Sequence, residues 1–309
     1  MMMKNYLLLL LGSYTDEFYR ATNWPIEGTY AETFDNGRRA GGPPLNMGCV
    51  CGSKGGIVRC LDYMSNKQDS TNFLISTLNS YNVNTDDILF GDAINGKVVI
   101  FNTGDKRTMF VVNPKRPYYE ITDKLQELLN NAGYIYSLMH IINRSFKDIE
   151  PLKIARSNGA KIILDGSSAY TKDWEKNILF SLCDGLFINN EDYSNLVKQT
   201  DKDPKELLFN NGCEFICITD GVKGATCYTK NNVYKADSIK TEVVDSTGAG
   251  DSFAGTFIYG LQKGYSYEKC LRLACAAGSF ACTAVGGQAA CCDIDELLEY
   301  ARKNNYQID

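Results

Sequence analysis

A single histidine, His140, is all the imidazole this 309-residue chain has, and no two of its twelve cysteines stand in Cys-x-x-Cys spacing. Zinc sites are usually built on such pairs, so that ligand set is missing. Cysteines such as Cys275 and Cys282 sit among apolar residues and read as small core side chains. Thiols in this number imply a reducing compartment, the cytoplasm. Basic charge is also short. Lys and Arg number 32 against 37 Asp and Glu, a net charge of −5, which argues against nucleic acid held on a broad surface. No apolar run reaches transmembrane length. The run at residues 6–11 is too short for a secretory leader and reads as a buried first strand ending at Gly12-Ser13. A Walker phosphate loop is absent, since Gly52-Ser53-Lys54-Gly55-Gly56 lacks its spacing. Gly248-x-Gly250 has no third glycine in place and lies late in the chain, which disfavours a dinucleotide fold.

What is present is alternation. Short apolar segments at 6–11, 133–137, 161–165, 185–188 and 214–219 read as strands. Helical periods fall at 45–53, 71–81, 122–131, 145–157, 204–210, 252–262, 267–284 and 294–303. The pattern predicts an α/β fold: a mostly parallel sheet with helices on both faces, its ligands beyond the carboxyl ends of the strands. Residues 17–40 and 96–112 break the alternation with β-forming sequence, the second as a hairpin turning at 103–106. Without repeats or linkers, residues 1–309 read as one domain with two insertions, which form a small β-sheet serving as a lid or a dimer surface.

The densest chemistry lies at Asp245-Ser-Thr-Gly-Ala-Gly-Asp-Ser-Phe-Ala-Gly255. The turn Gly248-Ala249-Gly250 opens a helix marked by Phe253, Phe257 and Leu261. Unpaired N–H groups at a helix start carry the positive end of its dipole and suit an anion. Asp251, beside that cradle, would repel the anion, so it is placed to take a proton from a hydroxyl attacking it; an Asp there also serves as a plain cap. Gly41-Gly42 lets a ligand approach the backbone, and Asn46 offers a donor and an acceptor to hydroxyls, though a turn with a capping Asn has the same sequence. Asp16, read at the end of the first strand, can accept two hydrogen bonds from a vicinal diol. After the 185–188 strand, Asn189, Glu191 and Asp192 suit the water shell of Mg²⁺ or a helix cap.

Together these segments resemble the pfkB (ribokinase-like) carbohydrate kinases, in order from Gly12 to Gln288. The resemblance implies a ribokinase-like fold with a β-sheet lid, ATP and Mg²⁺ as cofactors, and phosphoryl transfer to a sugar. It implies Asp251 as base, with Gly248, Ala249 and Gly250 as anion hole. It places Asp16, Gly41, Gly42 and Asn46 at the sugar. Asn189, Thr219, Gly221, Gly224 and Cys275 fall to the nucleotide, with Gly286-Gly287-Gln288 also beside the adenine. Asp192 and Glu191 fall to Mg²⁺, and Asp245 and Thr247 to a monovalent cation, K⁺. Pro25-x-x-Gly28 and Gly104-x-x-Arg107-Thr108 match lid segments, and the lid implies a homodimer. The chain departs from the family at Gly48, at Asp192 in place of Glu, and at Thr256. The acceptor stays open between a ribose- or fructose-like sugar, a ketodeoxy sugar acid and a nucleoside, with a non-catalytic sugar-binding protein as the rival class. A phosphorylated acceptor would draw on Arg38, Arg39 and Arg107. Because the loose transition state moves the hydroxyl proton late, the base needs no raised pKa.

Overall fold

The computed structural model describes residues 6–104, 106–166, 178–200 and 203–308; Lys4 of the N-terminal segment and Asp105 of the expected hairpin turn lie outside them. In chain order come β1 (Leu7–Leu10), β2 (Tyr14–Ala21), β3 (Thr33–Gly41), α1 (Pro43–Ser53), β4 (Val58–Leu61), β5 (Tyr63–Ser65), α2 (Asp69–Ser80), β6 (Val83–Asn84), β7 (Leu89–Gly91), β8 (Gly96–Thr103) and β9 (Lys106–Val112). The chain continues through α3 (Asp123–Asn131), β10 (Tyr134–Leu138), α4 (Met139–Ser145), α5 (Glu150–Ser157), β11 (Lys161–Asp165), β12 (Gly185–Asn189), α6 (Asn190–Thr200) and α7 (Pro204–Asn210). It ends with β13 (Phe215–Thr219), β14 (Ala225–Tyr228), β15 (Val233–Ala236), α8 (Ala249–Gln262), α9 (Tyr267–Ala281) and α10 (Ile294–Lys303).

The large sheet has the order β15-β14-β13-β12-β11-β10-β1-β4-β6, parallel from β13 to β6 and antiparallel at β14 and β15. Strand order reverses direction at β1, between β10 and β4, which opens a crevice at the carboxyl ends there. Burial on both faces explains the unbroken leucine run of β1. Leu7, Leu9 and Leu11 join one core layer with residues of α1 and α8; Leu8 and Leu10 join the opposite layer with residues of α3 and α4. Each fully buried leucine is worth about 1.5–3 kcal/mol.

Aromatic packing fixes α8. Phe257 lies 5.5 Å from Phe187 of β12 and 5.1 Å from Phe215 of β13, and Phe253 lies 6.0 Å from Phe187. On its other side α8 touches α1, where a methyl group on Gly255 would strike the Met47 carbonyl. A methyl group on Gly48 would likewise strike Leu9, so this departure from the family lets β1 pack closely against α1.

A second sheet, β3-β2-β8-β9, is antiparallel at both ends and parallel between β2 and β8. It holds the expected insertions but begins earlier, at Tyr14. Asp16 therefore belongs to this small sheet and not to the end of the first strand as expected; β1 stops at Leu10. The helix expected at 145–157 begins only at Glu150, as α5: α4 ends at Ser145, residues 146–149 are not helical, and Pro151 sits in the first turn of α5, where its missing N–H has no partner to lose. Among the described residues no helix is long and apolar enough to cross a membrane. All twelve cysteines are unpaired thiols, and only Cys282 and Cys291 are partly exposed.

Candidate active site

Gly248 caps α8 in the left-handed conformation, φ 77°, and Asp251 lies in the first turn. A methyl group on Gly248 would come 2.6 Å from both Cα and the carbonyl oxygen of Gly287, so only glycine fits the turn as built. Asp245 holds that turn closed. Its Oδ1 accepts from the Thr247 N–H at 3.0 Å and the Thr247 hydroxyl at 2.7 Å, and its Oδ2 accepts from the Gly286 N–H at 3.0 Å. Burial acts to raise the Asp245 pKa, but these hydrogen bonds and the charge of Arg107 hold it below the usual value. The Ala249 N–H bonds the Ser246 carbonyl at 3.2 Å, whereas among the described residues the N–H groups of Gly248 and Gly250 have no acceptor.

Asn46, on the first turn of α1, donates from Nδ2 to Asp251 Oδ2 at 2.8 Å. Its Oδ1 accepts from Gln288, which also donates to the Ala40 carbonyl at 2.9 Å. Gly287 presses on the same amide, since a methyl group there would lie 2.5 Å from Asn46 Nδ2. The 286–288 turn, expected beside the adenine, therefore packs against Asn46 and Ala40. Asp16 lies over Gly41, where a methyl group would strike its carboxylate. Burial raises the Asp16 carboxyl to about 6 against the pull of Arg107 and Arg39.

Burial also pushes the Asp251 carboxyl up to about 7, opposed by the Asn46 hydrogen bond and reinforced by the negative charge of Asp165. Asp165 closes β11 at its carboxyl end and accepts the Tyr136 hydroxyl at 2.7 Å. Sequence reasoning missed this residue. The signal was a polar residue ending an apolar strand, as at Asn189 and Thr219. Asp192 is raised by burial and then by Asp165, so Asp165 acts on Asp192 and Asp251 alike.

Beyond this carboxylate group a cleft of about 660 Å³ is lined by Thr219, Gly221, Gly224, Ala249, Gly250 and Cys275, among others. The structure thus brings together the expected nucleotide-side residues and the first turn of α8. Burial raises the Cys275 thiol to about 12, leaving an uncharged wall. Asn189 pairs in register with Thr219 but does not line the cleft. Its Oδ1 accepts from the Asp192 N–H at 2.8 Å and its Nδ2 donates to Asp192 Oδ2 at 2.7 Å, capping α6, while Glu191 is exposed. Among the described residues no three His, Cys, Asp or Glu side chains enclose a metal site.

This arrangement is a ribokinase-like α/β fold. It superposes on the Arabidopsis thaliana ribokinase complexed with ribose and ATP at a TM-score of 0.82, with 22% identity over 95% of this chain and 97% of that one. The sequence pattern of the pfkB family carbohydrate kinases matches residues 6–294, and the chain belongs to that family. It is 33% identical over 110 residues to a 5-dehydro-2-deoxygluconokinase of Lacticaseibacillus casei, 35% of this chain and 34% of that one. It is 33% identical over 123 residues to a nucleoside kinase of Methanocaldococcus jannaschii, 38% of this chain and 39% of that one. Both matches span little more than a third of the relative's length.

Proposed function

We propose that the chain, acting as one unit over 1–309, transfers the γ-phosphoryl group of ATP to a hydroxyl of a small sugar. The observation that carries this reading is that one helical turn borders both sides of the site. Ala249 and Gly250 line the 660 Å³ cleft, while the Asp251 carboxylate faces Asn46. Asp16, Gly41, Gly42 and Asn46 hold the sugar hydroxyls. Asp251 orients the attacking hydroxyl and accepts its proton. The N–H groups of Gly248 and Gly250, with the α8 dipole, meet the charge on the transferring group; Ala249 contributes through its place in the turn. Thr219, Gly221, Gly224 and Cys275 wall the nucleotide, and Asn189 supports Thr219 from the next strand.

Asp165 raises the pKa of both Asp192 and Asp251, which fits a divalent cation held beside them through water, since Mg²⁺ prefers hard oxygen ligands and keeps several waters. When bound, Mg²⁺ would neutralise phosphate charge. Asp192, capped by Asn189, and Asp165 would face its water shell, with Glu191 at the rim. Asp245 and Thr247 already partner each other, so a K⁺ ion there would share oxygens that close the turn. The lid aromatics are occupied with one another: Tyr19 stacks on Phe101 at 5.5 Å, and Trp24 on Phe110 at 6.1 Å. On the inner face the Phe18 ring is covered by the guanidinium groups of Arg39 and Arg107, at 5.1 and 6.0 Å, which favours a sugar over a nucleoside base there.

The test is ADP release with ATP and a panel of ribose, fructose, nucleosides and the 5-dehydro-2-deoxygluconate for which the Lacticaseibacillus protein is named. Acceptor-dependent ADP is expected with a sugar. A chain that binds sugars but releases no ADP with any of them is the non-catalytic rival.

The outer edge of the lid also points to self-association. Among the described residues strand β9 pairs with β8 alone, and its Met109, Phe110, Val111 and Val112 are all exposed. We place a second copy of the chain on this face, in the cytoplasm. Phe110→Asp with Val111→Lys is expected to halve the mass measured by light scattering. A wild-type chain that is already monomeric at micromolar concentration overturns this.

A further inference from the structure

Two arginines in the lid flank the proposed acceptor site. The guanidinium carbons of Arg39 and Arg107 lie 5.1 and 6.0 Å from the centre of the Phe18 ring. Arg39 is the cross-strand partner of Asp16. Asp16 and Phe18 pair with Val98 and Ile100, and Arg107 stands two residues from Met109, which also opposes Ile100. Ile100 is fully buried, so this shared face is the inner one. From the lid, Arg39 reaches the main body: a methyl group on Gly286 would lie 3.0 Å from its Nη1, and the next residue, Gly287, packs on Asn46.

Neither guanidinium forms an ion pair or hydrogen bond with another described residue, whereas neighbouring Arg38 is paired with Asp69 at 2.7 Å. The Asp245 oxygens, within electrostatic reach of Arg107, are occupied by donors of their own turn. Among the described residues no carboxylate is hydrogen-bonded or ion-paired to either guanidinium; Asp16 acts on both at longer range, and Asp245 on Arg107. Both forks are therefore open to a charged ligand, which a neutral sugar does not supply. The guanidinium fork matches a carboxylate or phosphate in a way that a lysine does not.

We propose that the acceptor carries an oxyanion, a carboxylate or a phosphate monoester, clamped by Arg39 and Arg107 while Asp16 and Asn46 hold its hydroxyls. This rests on the kinase reading above and narrows it.

Steady-state kinetics at saturating ATP would compare fructose, fructose 6-phosphate and 5-dehydro-2-deoxygluconate. In the wild type an anionic acceptor is expected to have the higher kcat/KM, and which one distinguishes phosphate from carboxylate. Arg39→Gln and Arg107→Gln are each expected to lower the anionic-to-neutral kcat/KM ratio by about tenfold to a hundredfold, mainly through KM. Arg→Lys at either position should lose less. Wild-type preference for fructose overturns the proposal and leaves the kinase reading standing, as does an equal rise in KM for all three acceptors in the Gln variants. If nothing is phosphorylated, the kinase reading fails. Calorimetry with the same two anionic compounds then decides the clamp: binding must appear in the wild type and vanish in the double Gln variant, and any other result overturns it.

Discussion

Replacing Asp251 with Asn is expected to lower kcat by about a hundredfold to ten-thousandfold while sugar and ATP still bind. The variant keeps the shape of the side chain, and its amide oxygen can still accept from Asn46 Nδ2, now 2.8 Å from Asp251 Oδ2. What disappears is the capacity to take the hydroxyl proton. Near-normal kcat would remove Asp251 from the chemistry and leave it as a cap for α8.

The same carboxylate predicts a pH profile. Its folded value is about 7, raised first by burial and then by Asp165. Only the ionised form accepts a proton, so kcat/KM should fall below an apparent pKa near 7 and level off above it, a limb that Asp251→Asn should lack. Stability runs the other way. The folded pKa lies above the ordinary carboxyl value of 3.8, so the unfolded chain ionises first and stability falls as pH rises between 3.8 and about 7. Above that window the full cost of the buried charge is present. Removing it should leave the melting temperature of Asp251→Asn at pH 8 equal to or above that of the wild type, which separates lost catalysis from lost folding.

The sequence spelled out the parallel strands β1, β10, β11, β12 and β13 because each is a short apolar run buried on both faces, as at 161–165 and 185–188. It also marked the start of α8, where the glycines and Asp251 are constrained by local geometry. Less was visible where tertiary contacts decide. Asp16 sits in the lid because β2 pairs with β8, some eighty residues away in the chain. Nothing near Gln288 announces that its amide reaches Asn46 across the fold. The short β4, β14 and β15 were passed over because four residues give no period to read. Asp165 was passed over because its effect on Asp192 and Asp251 exists only once the carboxyl ends of β11 and β12 and the amino end of α8 converge.

Two glycines in one turn should respond in opposite ways to the same methyl group. At Gly248 the left-handed backbone costs an alanine about 1–2 kcal/mol. The added methyl also lies 2.6 Å from backbone atoms of Gly287, which have no rotamer to yield with. The 286–288 turn must therefore shift. That turn carries the Gly286–Asp245 bond, the Gln288 contact to Asn46 and the packing of Gly287 on the same amide. A displacement of about 1 Å in groups that position a reaction costs on the order of a hundredfold in rate. Gly248→Ala should thus lose both melting temperature and kcat. At Gly250 a methyl group meets no atom within 4 Å, and it falls in the first turn of a helix, where alanine is the better residue by roughly 0.5–1 kcal/mol. Stability should hold or rise there. The open space lies on the wall of the 660 Å³ cleft, however, so the methyl should obstruct the transferring phosphoryl group and lower kcat/KM for ATP. If Gly250→Ala keeps full kcat/KM for ATP, the space beside it is not where the phosphoryl group sits, and the anion hole must be sought elsewhere.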